Sequence, residues 1–398
     1  MDFRLTEEQE ALKKEFEDFF EKEMKNAPPE FTRAGFEASY GTDEGFAFHK
    51  YMAKTMGAKG WLSRAWPKEA GGVEAPQMDQ AIFNESVAKY GAPGIDGWGA
   101  GMLAPTVLIG GSDEQKARLL PPIAKGDVQY CQGWSEPDSG SDLASLKMLA
   151  IKDGDHYVLN GQKIWTTAGH RADHIFLLVR TDPDSQRSKG LSIFVCRMDL
   201  PGVEVRAINY LDNSHIYNEV FFKDVRVHER DLIGPENEGW GLTRQTMNFE
   251  RSGSSGFVAG KIALEHLVNY VKNTTRDGKK LSEDPIIRQK LAKLYIDYDA
   301  GLYLAHKAIW MQEQGGLAQA ATMPSESKVF SSELSQRMSV FAMEIMGLYG
   351  QVVDSKWAHL PSMVERYLLA PGMNIAAGSS EIQRNLIAWV GLGLPRFK

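Results

Sequence analysis

Cysteine is scarce in this chain of 398 residues. It has two cysteines, Cys131 and Cys196, and they are far apart in the sequence. One disulfide could form between them, although a reducing compartment is the simpler setting. The nine histidines form no metal-ligand cluster, and HExxH, CxxC and EF-hand patterns are missing. The sequence therefore predicts no metal site.

Long apolar runs and blocks of positive charge are missing too. No stretch reaches the roughly 18 apolar residues of a membrane span, and the first twenty residues are charged throughout, unlike a signal peptide. The net charge of −7 disfavours nucleic acid as the main partner, because phosphate binding needs concentrated positive charge. A protein of the bacterial cytoplasm that binds neither membrane nor nucleic acid is expected.

Nucleotide-binding loops are poorly represented as well. GAGMLA at 99–104 matches a dinucleotide-binding pattern, but no strand is predicted before it and its surroundings read as helix or loop. A P-loop is missing. The match is therefore interpreted as chance, and a nicotinamide-binding Rossmann protein is not expected.

The spacing of apolar residues divides the chain into three parts. Residues 1–126 show helical spacing, and Ser112 with Gln115 predicts a capping box at the start of a helix over 112–125. Residues 127–240 contain strand-like runs, and Asn160-Gly161 predicts a hairpin turn. Residues 241–398 return to long amphipathic helices. The predicted class is a multidomain α+β protein with an N-terminal all-α domain, a central β-barrel domain and a C-terminal four-helix bundle.

Two polar segments of the central part are candidates for a site. YCQGWSEPDSGSD (130–142) contains a turn imposed by Pro137, Asp138 and Gly140, and taken alone it reads as a domain-boundary loop. In KIWTTAGHRADHIF (163–176), Trp165 and Thr167 have the same parity on a strand and would face one side. An indole can stack on an aromatic ring while a hydroxyl reaches a ring heteroatom. A packed aromatic residue of the barrel wall is the alternative.

The chain resembles the acyl-CoA dehydrogenases, a family of flavoproteins. The matching stretches are QGWSEPDSGSDLASL, LNGQKIWTTAGHRAD, NEGWG, Arg-Asp-Gly at 276–278 and AAGSSEIQRNLIA, in that order, and the similarity runs from LTEEQ to GLPR. The resemblance implies FAD, an acyl-CoA substrate, and removal of an α-proton with hydride transfer from the β-carbon to flavin N5. It also implies an electron-transferring flavoprotein as acceptor, and a homotetramer, or dimer of dimers, in which a neighbouring subunit helps to hold the dinucleotide.

The resemblance assigns binding residues by their position in the matching motifs. Those expected to bind FAD are Gln132, Trp134, Ser135, Gly140, Ser141, Trp165, Thr167, Arg276, Gly347, Ser379 and Glu381. Those expected to bind the acyl-CoA are Ser141, Gly94, Trp98, Asn248 and Arg251. Trp165 would cover the flavin, Thr167 would hydrogen-bond near N5, and Arg276 would meet the pyrophosphate. The sequence departs from the family at Glu344, where many members carry glutamine.

The catalytic glutamate is missing from the position where many members carry it. Position 377, just before the Gly-Ser turn, is alanine. Alanine cannot take a proton, but its backbone N–H can still polarise the thioester oxygen. The resemblance offers Glu250 in QTMNFERSGSSGF (245–257) as the base, on the first helix of the bundle, as in members that act on branched or long acyl groups. On one continuous helix, residues 250, 253, 254 and 257 would share a face; a linker at RSGSSG and a solvated or salt-bridged acid are the alternatives.

The acyl pocket is expected along residues 90–105. Trp98 falls where straight-chain members line the pocket floor, which favours a branched, cyclic or aromatic acyl group, although a plain core tryptophan is equally open. Asp96 is a candidate polar group for a ring substrate. Three other functions stay open. They are a related flavoenzyme with decarboxylating, desulfinating, oxygen-using or enoyl-reducing chemistry, a non-catalytic subunit of a mixed tetramer, and a DNA-binding branch that the net charge disfavours.

Overall fold

The computed structural model describes residues 3–32, 37–249, 253–315, 322–353 and 356–396. The α-helices are α1 Glu7–Glu23, α2 Glu37–Tyr40, α3 Asp43–Ala58, α4 Gln77–Tyr90, α5 Ala104–Gly110, α6 Asp113–Ala124, α7 Gly239–Phe249, α8 Ser254–Asn273, α9 Pro285–Glu313, α10 Met323–Met346, α11 Pro361–Ile375 and α12 Ser380–Leu386. The strands are β1 Tyr130–Gly133, β2 Leu149–Asp153, β3 His156–Lys163, β4 His174–Arg180, β5 Leu191–Arg197, β6 Val203–Ile208, β7 Tyr217–His228, β8 Leu232–Ile233, β9 Thr275–Arg276 and β10 Lys279–Lys280. This order of helices, then strands, then helices is the predicted one.

Local sequence signals set several helix ends. At α6, the Ser112 side chain accepts the N–H of Gln115 and the Gln115 side chain accepts the N–H of Ser112, so the predicted capping box is confirmed. α12 begins with a simple N-cap at Ser379, whose hydroxyl accepts the Ile382 N–H. GAGMLA contains a π-helical turn, Gly99–Leu103, and is not preceded by a strand, as the sequence predicts.

The predicted central β domain is an eight-stranded sheet. Its order is β6-β7-β3-β2-β4-β5-β8, and β1 pairs with β4 in parallel. β4 is buried on both faces: Phe176 and Leu178 pack into a cluster with helical residues, whereas Ile175 and Leu177 pack into a second cluster between strands. That double burial explains the continuous apolar run HIFLLVR.

The predicted hairpin turn at Asn160-Gly161 is wrong. Both residues lie inside β3, where the register against β7 shifts between Leu159 and Gly161, and the chain turns between β2 and β3 at Gly154-Asp155. Asn160 is not left-handed, and a type I′ turn requires positive φ at both central residues. A Cβ on Gly161 would lie 2.7 Å from Met148 Cγ, so this glycine serves a bulge with close packing.

The chain divides into two compact units. One comprises residues 1–35, 76–92 and 251–398, and the other comprises residues 36–75 and 93–250. In the first unit, α8, α9, α10 and α11 share an apolar core that includes Phe257, Leu294, Leu334 and Met363. In the second unit, α5, α6 and α7 lie with the sheet. The three domains at 1–126, 127–240 and 241–398 stay a prediction.

The structure also bears on the expectations about the two cysteines and about membrane-spanning helices. Cys131 and Cys196 are buried free thiols, so the disulfide that the sequence left open is not formed. Among the described helices, none combines the length and the apolar character that crossing a bilayer requires.

Candidate active site

The segment after β1 carries the first predicted cofactor residues. Trp134 is 7% exposed, and its indole Nε1 has no hydrogen-bond partner in the described parts of the chain. The Ser135 carbonyl accepts the Ile164 N–H at 2.9 Å. Gly140 and Ser141 are exposed, and a Cβ on Gly140 would meet nothing within 4 Å. A buried donor without a partner among the described residues fits a site in which a bound group supplies the acceptor.

A buried ion pair fixes this segment. Lys163 is fully buried, and its Nζ donates to Glu136 Oε1 at 2.8 Å, to the Leu178 carbonyl at 2.7 Å and to the Trp134 carbonyl at 3.1 Å. Burial lowers the pKa of Lys163 to about 8, against the opposite effect of Glu136. All three partners are acceptors, which matches the three donors of an ammonium group, and the contact with its carbonyl holds Trp134 in place. Sequence reasoning missed this pair, whose only signal was that both residues stand in the matching motifs.

Trp165 lies beyond the end of β3, so the strand-parity argument for Trp165 and Thr167 is wrong. Trp165 (φ 61°) and Ala168 (φ 56°) are both left-handed. The Trp165 side chain is nevertheless 53% exposed, Thr167 is partly exposed, and Thr166 between them is fully buried. Left-handed backbone costs about 1–3 kcal/mol in a bulky residue and is found mostly at functional sites. The exposed indole is suited to covering a planar ring.

The predicted acyl-binding residues Gly94 and Trp98 lie on one loop. Gly94 is buried with φ 106°, and a Cβ there would lie 2.6 Å from the Ala53 backbone nitrogen, so packing against α3 requires the glycine. Trp98 is partly buried and packs against the apolar cluster of its unit. Asp96 between them is 8% exposed, and both its carboxylate oxygens accept backbone N–H groups. The interpretation of Asp96 as a group for a ring substrate is therefore wrong.

The helical unit brings Arg276 and Gly347 together. Arg276 ends β9, and the Asp277-Gly278 turn, with both residues left-handed, returns the chain into β10. The Arg276 guanidinium donates to the Ile345 carbonyl, and a Cβ on Gly347 would lie 3.9 Å from Arg276 Nη2. An exposed guanidinium beside a glycine turn suits a pyrophosphate. Glu344 pairs with Lys290 at 2.9 Å instead of presenting an amide.

The Ala377 turn is fixed from beneath by Gln383. Ala377 (φ 54°) and Gly378 (φ 85°) are left-handed, and Gln383 Nε2 donates to the Ala377 carbonyl at 2.7 Å. The Ala377 N–H donates to no acceptor in the described parts of the chain. Gln383 is 1% exposed, and its Oε1 has no partner among the described residues. Sequence reasoning missed Gln383, although it stands in the same motif as Ala377.

Ser379 and Glu381 flank this turn. The Ser379 hydroxyl caps α12, and Glu381 is exposed. Hydrogen bonds from its own backbone N–H and from Ser379 hold the pKa of Glu381 below its usual value. Glu381 is thus a weak base at neutral pH, although it lies close to Ala377 in the sequence.

The predicted base, Glu250, lies outside the described residues, as does Arg251. Asn248 is in α7, and its side chain is not described. A helix that runs unbroken through 245–257 is wrong, because Gly253 is left-handed (φ 66°) and α8 begins after it at Ser254. The face expected to join residue 250 with residues 254 and 257 stays a prediction, since residue 250 lies outside the described residues.

Comparison with known proteins agrees with this fold and these motifs along the whole chain. Residues 6–127, 131–225 and 237–392 match the acyl-CoA dehydrogenase N-terminal, middle and C-terminal domains. Acyl-CoA dehydrogenase FadE26 of Mycobacterium tuberculosis (strain ATCC 25618 / H37Rv) is 33% identical over 404 residues, which cover 98% of each chain. Two solved structures cover 100% of both chains. The ChsE4-ChsE5 complex from Mycobacterium tuberculosis has a TM-score of 0.85 at 31% identity, and the Tcur3481-Tcur3483 steroid ACAD has 0.87 at 28%.

A helical–sheet–helical flavoenzyme is the class that this fold and these motifs define. The chain belongs to the acyl-CoA dehydrogenase family. Its members are FAD-dependent oxidoreductases that act on acyl-CoA. Residues of each unit have features that suit FAD. In the unit with the sheet, Trp165 offers an exposed ring face and Trp134 a buried donor without a partner among the described residues; in the helical unit, Arg276 offers a cation beside the Gly347 turn.

Proposed function

We propose that the protein desaturates an acyl-CoA thioester between C2 and C3 and passes the electrons to an electron-transferring flavoprotein. The Ala377 turn is the observation that carries this proposal. It keeps a backbone N–H without an acceptor in the described parts of the chain, and it lacks an acidic side chain at the same position. Such a turn polarises a carbonyl but cannot accept a proton, so the two tasks fall to different parts of the chain.

The Ala377 N–H binds the thioester oxygen in this proposal. A donor aimed at that oxygen stabilises the negative charge that develops when C2 loses its proton, and one such donor lowers a barrier by about 3 kcal/mol. Gln383 holds the Ala377 carbonyl, which belongs to the next peptide along the chain. This hydrogen bond limits rotation of Ala377 on one side of the donor, so the turn is partly fixed before the reaction begins.

Glu250 accepts the α-proton. Ala377 cannot do so, and the lowered pKa of Glu381 makes that exposed carboxylate a poor base near pH 7. Burial of Glu250 beside an apolar acyl group would raise its pKa toward neutrality, as a base working there requires. The matching motif around 245–257 supports this assignment.

The chain's own residues would hold FAD in two places. Trp165 and Thr167 would meet the isoalloxazine ring, together with Gln132, Trp134, Ser135, Gly140 and Ser141. Arg276, Gly347, Ser379 and Glu381 would bind the dinucleotide part. When bound, FAD supplies a two-electron acceptor for the hydride that leaves C3. The exposed Trp165 would exclude water from one side of the reacting atoms.

The acyl group is branched or cyclic in this proposal. Trp98 is partly buried on the loop that also carries Gly94, where it would shorten a straight-chain pocket. The name of the Tcur3481-Tcur3483 steroid ACAD supports a ring system. Ser141, Asn248 and Arg251 are the further residues proposed to bind the acyl-CoA.

The assembly is proposed to be a homotetramer or dimer of dimers. Large apolar side chains are exposed in the helical unit, among them Ile296 at 68%, Ile375 at 67% and Leu392 at 69%. A mixed assembly with a homologous chain is the second candidate, because two similar structures are named for pairs of chains. Light scattering of the protein expressed alone, with its flavin content, separates them: full flavin in a single-chain tetramer supports the first.

Glu250→Gln tests the proposed function. The variant should keep flavin and acyl-CoA binding but lose flavin bleaching by saturated acyl-CoA under argon, because an amide cannot take the α-proton. Glu265→Gln, the same change on α8, is the control and should bleach at the native rate. Bleaching by native protein, followed by reoxidation with electron-transferring flavoprotein, supports the activity. Bleaching of Glu250→Gln at the native rate would contradict the assigned base.

A further inference from the structure

Asp96 joins two segments of the sheet-containing unit through one buried carboxylate. Its Oδ1 accepts the N–H groups of Trp98 at 3.0 Å and Gly99 at 2.9 Å, and its Oδ2 accepts the N–H of Tyr130 at 2.8 Å. Trp98 and Gly99 lead from the loop that carries Gly94 into the π-helical turn, whereas Tyr130 begins β1. The side chain thus ties this loop to the strand that leads to Gln132 and Trp134.

His49 secures the start of the same loop. Its Nδ1 accepts the Gly94 N–H at 3.2 Å, and its Nε2 lies 3.1 Å from Gln129 Oε1. Because a backbone N–H can only donate, the imidazole proton is on Nε2 and is donated to Gln129. Gln129 Nε2 in turn donates to the Tyr130 carbonyl at 3.0 Å.

An ionised carboxylate satisfies the three N–H groups on Asp96 better than a neutral carboxyl group does. A neutral carboxyl group carries a hydrogen of its own, which would face donors, and an unpaired buried N–H costs free energy. Burial raises the pKa of Asp96 to about 7, against the opposite effect of the N–H donors. Among the described residues, the ionisable side chains that interact electrostatically with this carboxylate include Tyr40, Tyr130, Cys131 and Asp173. His49 shares a small cavity with Asp96, and Lys50 and Asp127 also line it.

We propose that Asp96 is a positioning residue that sets the acyl-group specificity, because it holds the Gly94–Trp98 loop and the Trp98 ring against β1. The inference rests on the proposed function, in which Trp98 lines the acyl pocket. An apolar residue at 96 could not hold the loop, since it would leave three backbone donors without an acceptor. The chemistry is assigned to Glu250 and Ala377, which are not on the loop. Loss of the carboxylate should therefore affect substrate fit more than catalysis.

Asp96→Asn tests this role by a comparison of kcat and KM. The amide offers one oxygen and sets an NH2 group against a backbone donor, so the loop is released. We expect KM for the preferred branched or cyclic acyl-CoA to rise about tenfold, a loss of ~1.4 kcal/mol, with kcat within about threefold. The preference over a linear acyl-CoA should shrink. An unchanged KM, or an equal loss for every acyl-CoA, would overturn the proposal.

Asp284→Ala is the control for a loss of stability alone. Asp284 caps α9 and accepts the N–H groups of Ile286 at 2.8 Å and Ile287 at 3.3 Å, so this change also leaves backbone donors without their side-chain acceptor. Its Tm should fall while KM and acyl preference stay native. A shift of KM in this control like that of Asp96→Asn would show that general destabilisation is the cause.

A second variant and a pH series test the same role if Asp96→Asn does not fold. A Cβ on Gly99 would lie 2.3 Å from Asp96 Oδ2, so Gly99→Ala disturbs the same contact and should show the same selective rise of KM. In the native protein, affinity for a non-reacting S-alkyl-CoA thioether should weaken as pH falls below about 7, and this weakening should be smaller in Gly99→Ala. If no acyl-CoA bleaches the native protein, the proposed function fails. If an acyl-CoA does bleach the native protein, but the KM and the pH dependence of thioether affinity in Gly99→Ala are those of the native protein, only the role of Asp96 fails.

Discussion

Gln383 donates its side-chain amide to the carbonyl oxygen of Ala377 over 2.7 Å. The two residues stand in one motif, and the hydrogen bond holds the 377–378 peptide, which directly follows the N–H that is proposed to bind the thioester oxygen. A Cβ on Gly378 would lie 2.5 Å from Gln383 Nε2, so the intervening glycine is what lets the amide reach that carbonyl. The buried Gln383 side chain therefore stabilises the turn with a hydrogen bond to one of its backbone carbonyls.

Gln383→Met should lower kcat about tenfold with KM within about threefold, because the thioether keeps the volume but cannot hold the Ala377 carbonyl. A tenfold loss corresponds to ~1.4 kcal/mol of barrier, part of what one oxyanion donor contributes. Stopped-flow flavin reduction at saturating acyl-CoA measures it.

Gln115→Met is the control for that change. Gln115 is also a buried glutamine, and its Nε2 donates to the carbonyls of Arg230 at 2.8 Å and Leu232 at 2.6 Å. This variant should lose stability but reduce its flavin at the native rate. Native reduction in Gln383→Met as well would remove the role assigned to Gln383.

Lys163→Met should destabilise the protein by about 3–5 kcal/mol, because it leaves the buried Glu136 carboxylate without its cation. Adding Glu136→Gln to the same chain should recover part of that loss, although the N–H groups of Lys147 and Met148 still need an acceptor. Urea unfolding of the two variants measures the difference. A single variant within about 1 kcal/mol of native would show that the ion pair contributes little.

Gly94→Ala should cost more stability than Gly91→Ala, although both glycines have positive φ, 106° and 59°. A Cβ at 94 would lie 2.6 Å from the Ala53 nitrogen, whereas a Cβ at 91 would meet nothing within 4 Å. The change at 91 should cost about 1–2 kcal/mol, the ordinary cost of a left-handed residue with a side chain. The loss of stability in Gly94→Ala should be larger, because the backbone of α3 at Ala53 must move. Equal losses in the two variants would mean that α3 can shift at little cost.

Asp96 and His49 should give stability opposite dependences on pH. Burial raises the folded pKa of Asp96 to about 7, so its stabilising effect is complete below pH 3.8 and is lost as pH rises through 7. Burial lowers the folded pKa of His49 to about 4, so its stabilising effect is complete above pH 6.5 and is lost as pH falls through 4. Between pH 4.5 and 6.5 the two effects oppose each other.

Replacing either residue should therefore make the effect of the other on the pH dependence of stability visible. Stability of Asp96→Asn should rise with pH across this window relative to native, and stability of His49→Gln should fall, each by up to about 1.4 kcal/mol per pH unit. Urea midpoints measured every half pH unit provide the comparison. If the urea midpoints of both variants change with pH in parallel with those of the native protein, neither group titrates as described.

The amino-acid sequence by itself determined the order of the elements and many of their ends. Ser112 with Gln115, and Ser379 before Ile382, are capping signals that act over three residues, and the apolar run at 174–180 became β4 with the same ends. The spaced motifs were enough to place the chain in its family, because several of them recur in the right order. Signals of this kind are read within a few residues, so a single sequence carries them.

The tertiary structure decided what depends on residues far apart in the chain. Asn160-Gly161 became a bulge because β7 and Met148 lie against it, and Trp165 turned left-handed beyond β3. Asp96 holds a residue 34 positions away, and Lys163 holds one 27 positions away. Such contacts satisfy buried donors and charges that water no longer reaches, and which partner does so is settled only when the segments pack.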